Sequence, residues 1–280
     1  MPITDEERKY LKNKHRGGEN NKKGSQYENF YAVYCIAKLI GECQSQLDAV
    51  YLTSQVEDAF VDDLLIERPT SEKIYHQLRD VQSLTWGYAR LEYDFKRQME
   101  ISRENGESFC LRLVYSNGNP SLAEIPEEIA LCTEAIPFPT CESLLQLLWS
   151  YVPFKEAISD IAVEGEEKEN DKLFGIAGAL LGAWESCGQK AVSIAKISEV
   201  ARCLGKGYVN IKNYSDAEIS EACRTILERC GLRFHISGIK LYWSNANGRL
   251  NGEIEWTSDL EQRLLQEAPT DLLEVVALLS

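Results

Sequence analysis

A chain of 280 residues has room for one large domain or two ordinary ones, and with 44% hydrophobic and 26% charged residues it has a globular rather than fibrous or low-complexity composition. No apolar run approaches the roughly 20 residues of a membrane span, and the start MPITDEERKYLKNKH lacks a signal peptide's apolar core, so the expectation is a cytoplasmic protein with no membrane role. Lys and Arg number 30 against 44 Asp and Glu, a formal charge of −14 that argues against unspecific binding of nucleic acid; residues 1–26 run the other way with a net +3.

Residues 1–25, with the Gly-rich stretch HRGGENNKKGSQ, read as a flexible basic arm. Tyr27 to Ile40 is apolar nearly all round, which predicts a helix buried against a sheet, and Ser25 with Glu28 three residues later fits a capping box at its start. Three strand-like runs follow, Ala49 to Thr53, Phe60 to Glu67 and Lys73 to Arg79, and the ERPTSE break between the last two predicts a meander. A charged helix from Tyr88 to Asn105 leads to a strand from Phe109 to Tyr115, and residues 120–163 read as mainly helical, broken by prolines 137, 139 and 153. The acidic run 164–172, EGEEKENDK, is the best linker candidate. Beyond it, helices at Leu173 to Ser186, Ser193 to Leu204 and Ser215 to Cys230, then strands at Leu232 to Ile236 and Ile239 to Ser244, follow the order of a winged helix-turn-helix, and the tail LLEVVALL reads as a core helix.

The motifs of P-loop, Rossmann, zincin and esterase chemistry are missing. Nine cysteines without a C-x-x-C pair in a chain with three histidines read mostly as buried thiols, and His76 as structural. What carries chemistry is a set of polar residues in otherwise apolar elements: Glu28 in the first turn of the buried helix, Asp62 and Asp63 interrupting the strand VDDLLIE, and Gln77 and Arg79 two apart on one strand. Alternation puts Lys73, Tyr75, Gln77 and Arg79 on one strand face, toward which a neighbouring strand and the helix can bring carboxylates. Hard oxygen ligands beside a cation are what metal-assisted phosphodiester cleavage requires.

The order G-x-x-Y-E (Gly24 to Glu28), D-D before an apolar strand, then Q-x-[K/R] (Gln77, Arg79) resembles the PD-(D/E)XK restriction-endonuclease-like superfamily. R-G-G at Arg16 to Gly18 and Q-L-R running on to Ser83–Trp86 are similar to the DNA-degrading effector nucleases of bacterial antiphage systems, including those tied to cyclic-oligonucleotide signalling. The resemblance spans residues 16–116. It implies a restriction-endonuclease-like mixed sheet flanked by helices; with the pattern of elements beyond it, the expected fold is α/β, followed by a mainly helical segment and a winged-helix-like C-terminal domain. The expected divisions are a basic arm (1–25), a nuclease-like domain with a helical extension (26–163), the linker (164–172) and a partner-binding domain (173–280).

By the same resemblance Glu28, Asp63 and Gln77 are ligands of Mg²⁺ or Mn²⁺, with Gln77 in place of the more usual acid, and Arg79 stands where the family has lysine. The implied function is a metal-dependent endonuclease acting on double-stranded DNA in antiphage defence, with a protein partner such as an ATPase or sensor subunit, and a homo-oligomer is compatible with it. Because a guanidinium does not replace an ammonium with equal geometry, the alternative is a degenerate nuclease fold serving as scaffold or adaptor in a defence complex. Lys73, on the same face, is a candidate substitute. Repulsion among the carboxylates leads to the further expectation that Asp63→Ala holds or raises stability.

Overall fold

The structure, a computed structural model, describes residues 4–11, 24–81, 83–116, 122, 124–162, 170–205, 211, 219–237, 240–245 and 249–279. It divides into two compact units, Met1–Asn210 and Ile211–Ser280. In chain order the first holds helix α1 (Gly24–Cys43), strands β1 (Tyr51–Ser54), β2 (Leu64–Glu67) and β3 (Glu72–Arg79), helix α2 (Leu91–Glu104), strands β4 (Ser108–Tyr115) and β5 (Thr133–Pro137), helices α3 (Leu144–Ser150), α4 (Val152–Ile161) and α5 (Asn170–Ser186), strand β6 (Val192–Ser193) and helix α6 (Ile194–Leu204). Six strands make one mixed sheet in the order β5-β4-β3-β2-β1-β6. The expected meander is present, β1, β2 and β3 pairing antiparallel, and α2 crosses over to place β4 parallel to β3.

Alternation along the strands divides the core between the two faces of the sheet. On one, Leu65, Tyr75, Leu111, Leu113 and Tyr115 pack with Leu91, Phe95 and Met99 of α2 and with Trp86. On the other, Tyr31 of α1 meets His76 at 5.6 Å and Phe138 at 5.1 Å between ring centroids. α1 also touches α4, α5 and α6, which explains a helix that is apolar almost all round.

Several boundaries differ from the sequence reading. Residues 5–11 of the expected flexible arm are helical, and the Glu7 carboxylate accepts from Arg97 Nε at 2.6 Å and Tyr93 Oη at 3.2 Å, while Tyr10 Oη donates to Asp94 at 3.0 Å. The arm's residues 12–23, with the R-G-G motif, lie outside the described residues. The stretch expected to be mainly helical contains β5, and Pro153, expected as a breaker, sits in the first turn of α4, where a missing N–H costs nothing. Most of the acidic run 164–172 lies outside the described residues, but the division between units falls after Asn210 rather than there. The apolar face of α5 (Ile176, Leu180, Trp184) and the pairing of β6 with β1 hold this segment to the first unit.

Those two helices are therefore not part of a C-terminal winged helix-turn-helix. The second unit consists of helix α7 (Glu221–Arg229), an antiparallel sheet of β7 (Leu232–Ser237), β8 (Lys240–Asn245) and β9 (Asn251–Glu255), and helices α8 (Ser258–Glu267) and α9 (Leu272–Leu278). Ser220 caps α7 by accepting from Cys223 N, and residues 212–218, including the Ser215 start expected for this helix, lie outside the described residues. The tail is the core helix expected of it, burying Val275 and Leu278 with Leu227, Leu241, Trp243 and Trp256. Gly252 lies opposite Trp243, and a Cβ there would stand 2.7 Å from the indole Cζ2. All nine cysteines are free thiols, but only Cys35, Cys141, Cys223 and Cys230 are buried, fewer than expected. Among the described residues no helix is long and apolar enough to cross a membrane.

Candidate active site

The β2–β3 register pairs Leu64 with His76, so Asp63 comes opposite Gln77, and the bond from Asp63 N to His76 O (3.2 Å) continues the pairing one residue beyond β2. Asp62 and Asp63 thus precede the strand rather than interrupt it. The chain returning from β1 closes on them: Gln55 N donates to Asp63 O at 3.2 Å and Val56 N to Asp62 O at 2.8 Å. Phe60 N, donating to Gln98 Oε1 at 2.9 Å, pins the intervening loop to α2. Both aspartates and Gln77 are buried, Gln77 completely.

Asp63 Oδ2 is the centre of the cluster. It accepts from the Gln77 side-chain amide, from Leu78 N at 2.7 Å and from Arg79 Nη1 at 3.0 Å. Gln77 Nε2 also reaches Asp62 Oδ1 at 3.4 Å, and Arg79 Nη1 donates to Leu78 O at 2.7 Å. Glu28 joins from α1. The helix already includes Gly24, so Ser25 is helical backbone and not the cap of a capping box. The Glu28 carboxylate instead accepts from Gln55 Nε2 at 3.1 Å. Burial, with Asp63 second and Asp62 adding to it, pushes the Glu28 carboxyl up to about 8, against the opposing pull of Gln55 and Arg79. Glu28 is partly buried and Asp63 buried, and a carboxyl shifted by its surroundings in this way is a feature of functional sites.

Asp63, Gln77 and Arg79 are thus in direct contact and Asp62 lies with them, while Glu28 reaches the group through Gln55. Lys73 does not reach it. It forms an ion pair with Glu107 at 2.8 Å, and six residues of strand at about 3.3 Å each separate it from Arg79, so it is no substitute for the missing lysine. His76 is on the opposite face, fully buried, with Nδ1 3.1 Å from Leu64 O; burial, helped by Arg112, lowers it to about 3 and keeps the ring neutral, in keeping with a structural residue. The stability expected of Asp63→Ala is also revised, because the three donors on Oδ2 outweigh the repulsion that expectation rested on. Sequence reasoning missed Gln55, which sits in a loop after β1 and carries no motif.

Among the described residues no group of three His, Cys, Asp or Glu side chains stands ready as a metal cage. The donor chemistry nonetheless fits a small hard cation, which is held by one or two carboxylates and keeps several waters. Glu28 and Asp63 would supply the carboxylates, and Gln77 would supply an amide oxygen if its side-chain amide turned by half a rotation. The chain matches no known protein family, no curated protein and no solved structure.

Proposed function

We propose that this protein is a metal-dependent phosphodiester hydrolase, with double-stranded DNA as substrate and antiphage defence as setting on the strength of the resemblance in residues 16–116. The observation that carries the reading is the meeting of Gln77 and Arg79 on one Asp63 carboxylate oxygen, with Glu28 tied to the same cluster through Gln55. Glu28, Asp63 and the Gln77 amide oxygen would hold Mg²⁺ or Mn²⁺. Such an ion polarises a phosphoryl oxygen and acidifies a bound water. Arg79 would clamp a phosphate oxygen and neutralise charge developing there, but a guanidinium does not act as a general base. With a net charge of −14 the protein engages DNA through a partner such as an ATPase or sensor subunit, and the C-terminal unit is the part we assign to that partner.

A specific observation favours a second reading. Arg79 Nη1 already lies on Asp63 Oδ2, a built-in cation where a catalytic metal would be wanted, as in a degenerate fold kept as scaffold. Plasmid nicking by the purified full chain in Mg²⁺ or Mn²⁺, with and without EDTA, decides between them. Metal-dependent nicking lost in Asp63→Asn supports the hydrolase. An inert chain that still retains its partner in a pull-down supports the scaffold.

A further inference from the structure

We propose that Gln55 is a positioning residue of this site, one that sets Glu28 against Asp63 so that the two carboxylates share one cation; the assignment rests on the metal-dependent reading above. Gln55 contacts both halves of the ligand set at once. Its side chain donates to Glu28 Oε2 at 3.1 Å, and its backbone N–H donates to Asp63 O at 3.2 Å. The two acids arrive from positions 35 apart in the sequence, Glu28 on α1 and Asp63 just ahead of β2.

The backbone pays to hold it there. Gln55 has φ +52°, a left-handed conformation that costs a non-glycine residue about 1 kcal/mol or more and persists only where the surroundings over-determine it. Those surroundings come from the turn between α5 and β6. Ser54 N donates to Gln189 O at 2.8 Å, Ala191 N to Thr53 Oγ1 at 3.2 Å, and Leu52 pairs with Val192. The same Gln189 reaches α1, its Nε2 donating to Asn29 Oδ1 at 3.0 Å, beside Glu28. One turn therefore fixes the end of β1 and the ligand-bearing turn of α1, and Gln55 completes the bridge between them.

The test is Mn²⁺ binding by titration calorimetry to the full chain, as wild type, Asp63→Asn, Gln55→Gly and Gln55→Met. Glycine accepts φ +52° without strain, so Gln55→Gly removes the donor while the backbone holds its course. Gln55→Met keeps the volume and removes the donor without adding charge. Losing a hydrogen bond that orients a metal ligand lowers affinity by roughly 10- to 100-fold. The expected result is weaker Mn²⁺ binding in both Gln55→Gly and Gln55→Met, with the melting temperature of Gln55→Gly at or above that of wild type. Binding to both variants as tight as to wild type overturns the assignment and leaves the metal-dependent reading standing. Weakened binding in Gln55→Gly that Gln55→Met restores also overturns it, since packing alone then explains the loss. Wild type that binds no Mn²⁺ sinks the metal-dependent reading, and this assignment with it.

Discussion

Replacing Glu28 by Gln tests the electrostatics of the site without relying on catalysis. The folded protein holds this carboxyl near 8 against an ordinary 4.5. A carboxyl raised in the folded state favours its protonated form, so the stability it contributes is complete below pH 4.5 and is lost as pH rises through 8. At about 1.4 kcal/mol per pH unit, the metal-free fold at pH 7 gives up about 3 kcal/mol by keeping Glu28 there. Glutamine removes the charge while its amide oxygen still accepts from Gln55. The assay is amide hydrogen exchange of the β2 and β3 peptides in EDTA, compared between the two proteins at each pH. At pH 5 the variant and wild type should protect these strands to within about 1 kcal/mol of each other, and by pH 8 the variant should be the more stable by about 4 kcal/mol. Saturating Mn²⁺ at pH 8 should close that gap from the wild-type side only. Protection factors whose ratio stays constant from pH 5 to pH 8 would refute the argument, because Glu28 would then titrate as an ordinary surface acid.

Asp63→Ala should unfold at lower denaturant by about 2–3 kcal/mol, since it strands the buried Leu78 N–H and the Gln77 amide together with the Arg79 guanidinium; unchanged urea midpoints would show that these bonds carry no net stability. Arg79→Lys should keep or raise plasmid nicking while Arg79→Ala lowers it by at least tenfold, and equal rates in all three proteins would place Arg79 outside the reaction. Gly252→Ala should cost the C-terminal unit about 1–3 kcal/mol through the 2.7 Å approach to Trp243, seen as an earlier loss of protection in β8 and β9.

How far the sequence could be read depended on whether a feature was local. The β2–β3 meander, the buried helix carrying Glu28 and the α2 crossover all follow from periodicity and turn chemistry within short windows. Asp63, Gln77 and Arg79 were legible for the same reason, because a polar side chain within an apolar strand stands out against its neighbours. Features set by distant pairing were not. β6 is two residues long and exists only because β1 offers an edge, so its sequence carries no strand signal. The charge run at 164–172 looked like a domain boundary because composition reports on solvation, whereas α5 is tied to α1 by an apolar face that composition does not locate. Gln55 left no trace for a related reason: its left-handed backbone comes from a turn more than 130 residues further on.

The two residues of β6 also decide how the first unit can be dissected. They are what covers the outer side of β1, and they lie beyond the acidic run at which a biochemist guided by charge would cut. A fragment ending at residue 163 would leave Tyr51–Ser54 as a bare row of unmet donors and acceptors, open to any other extended chain. Its behaviour in solution would then be governed by self-association, and an inert or precipitating preparation would say nothing about the acids beside it.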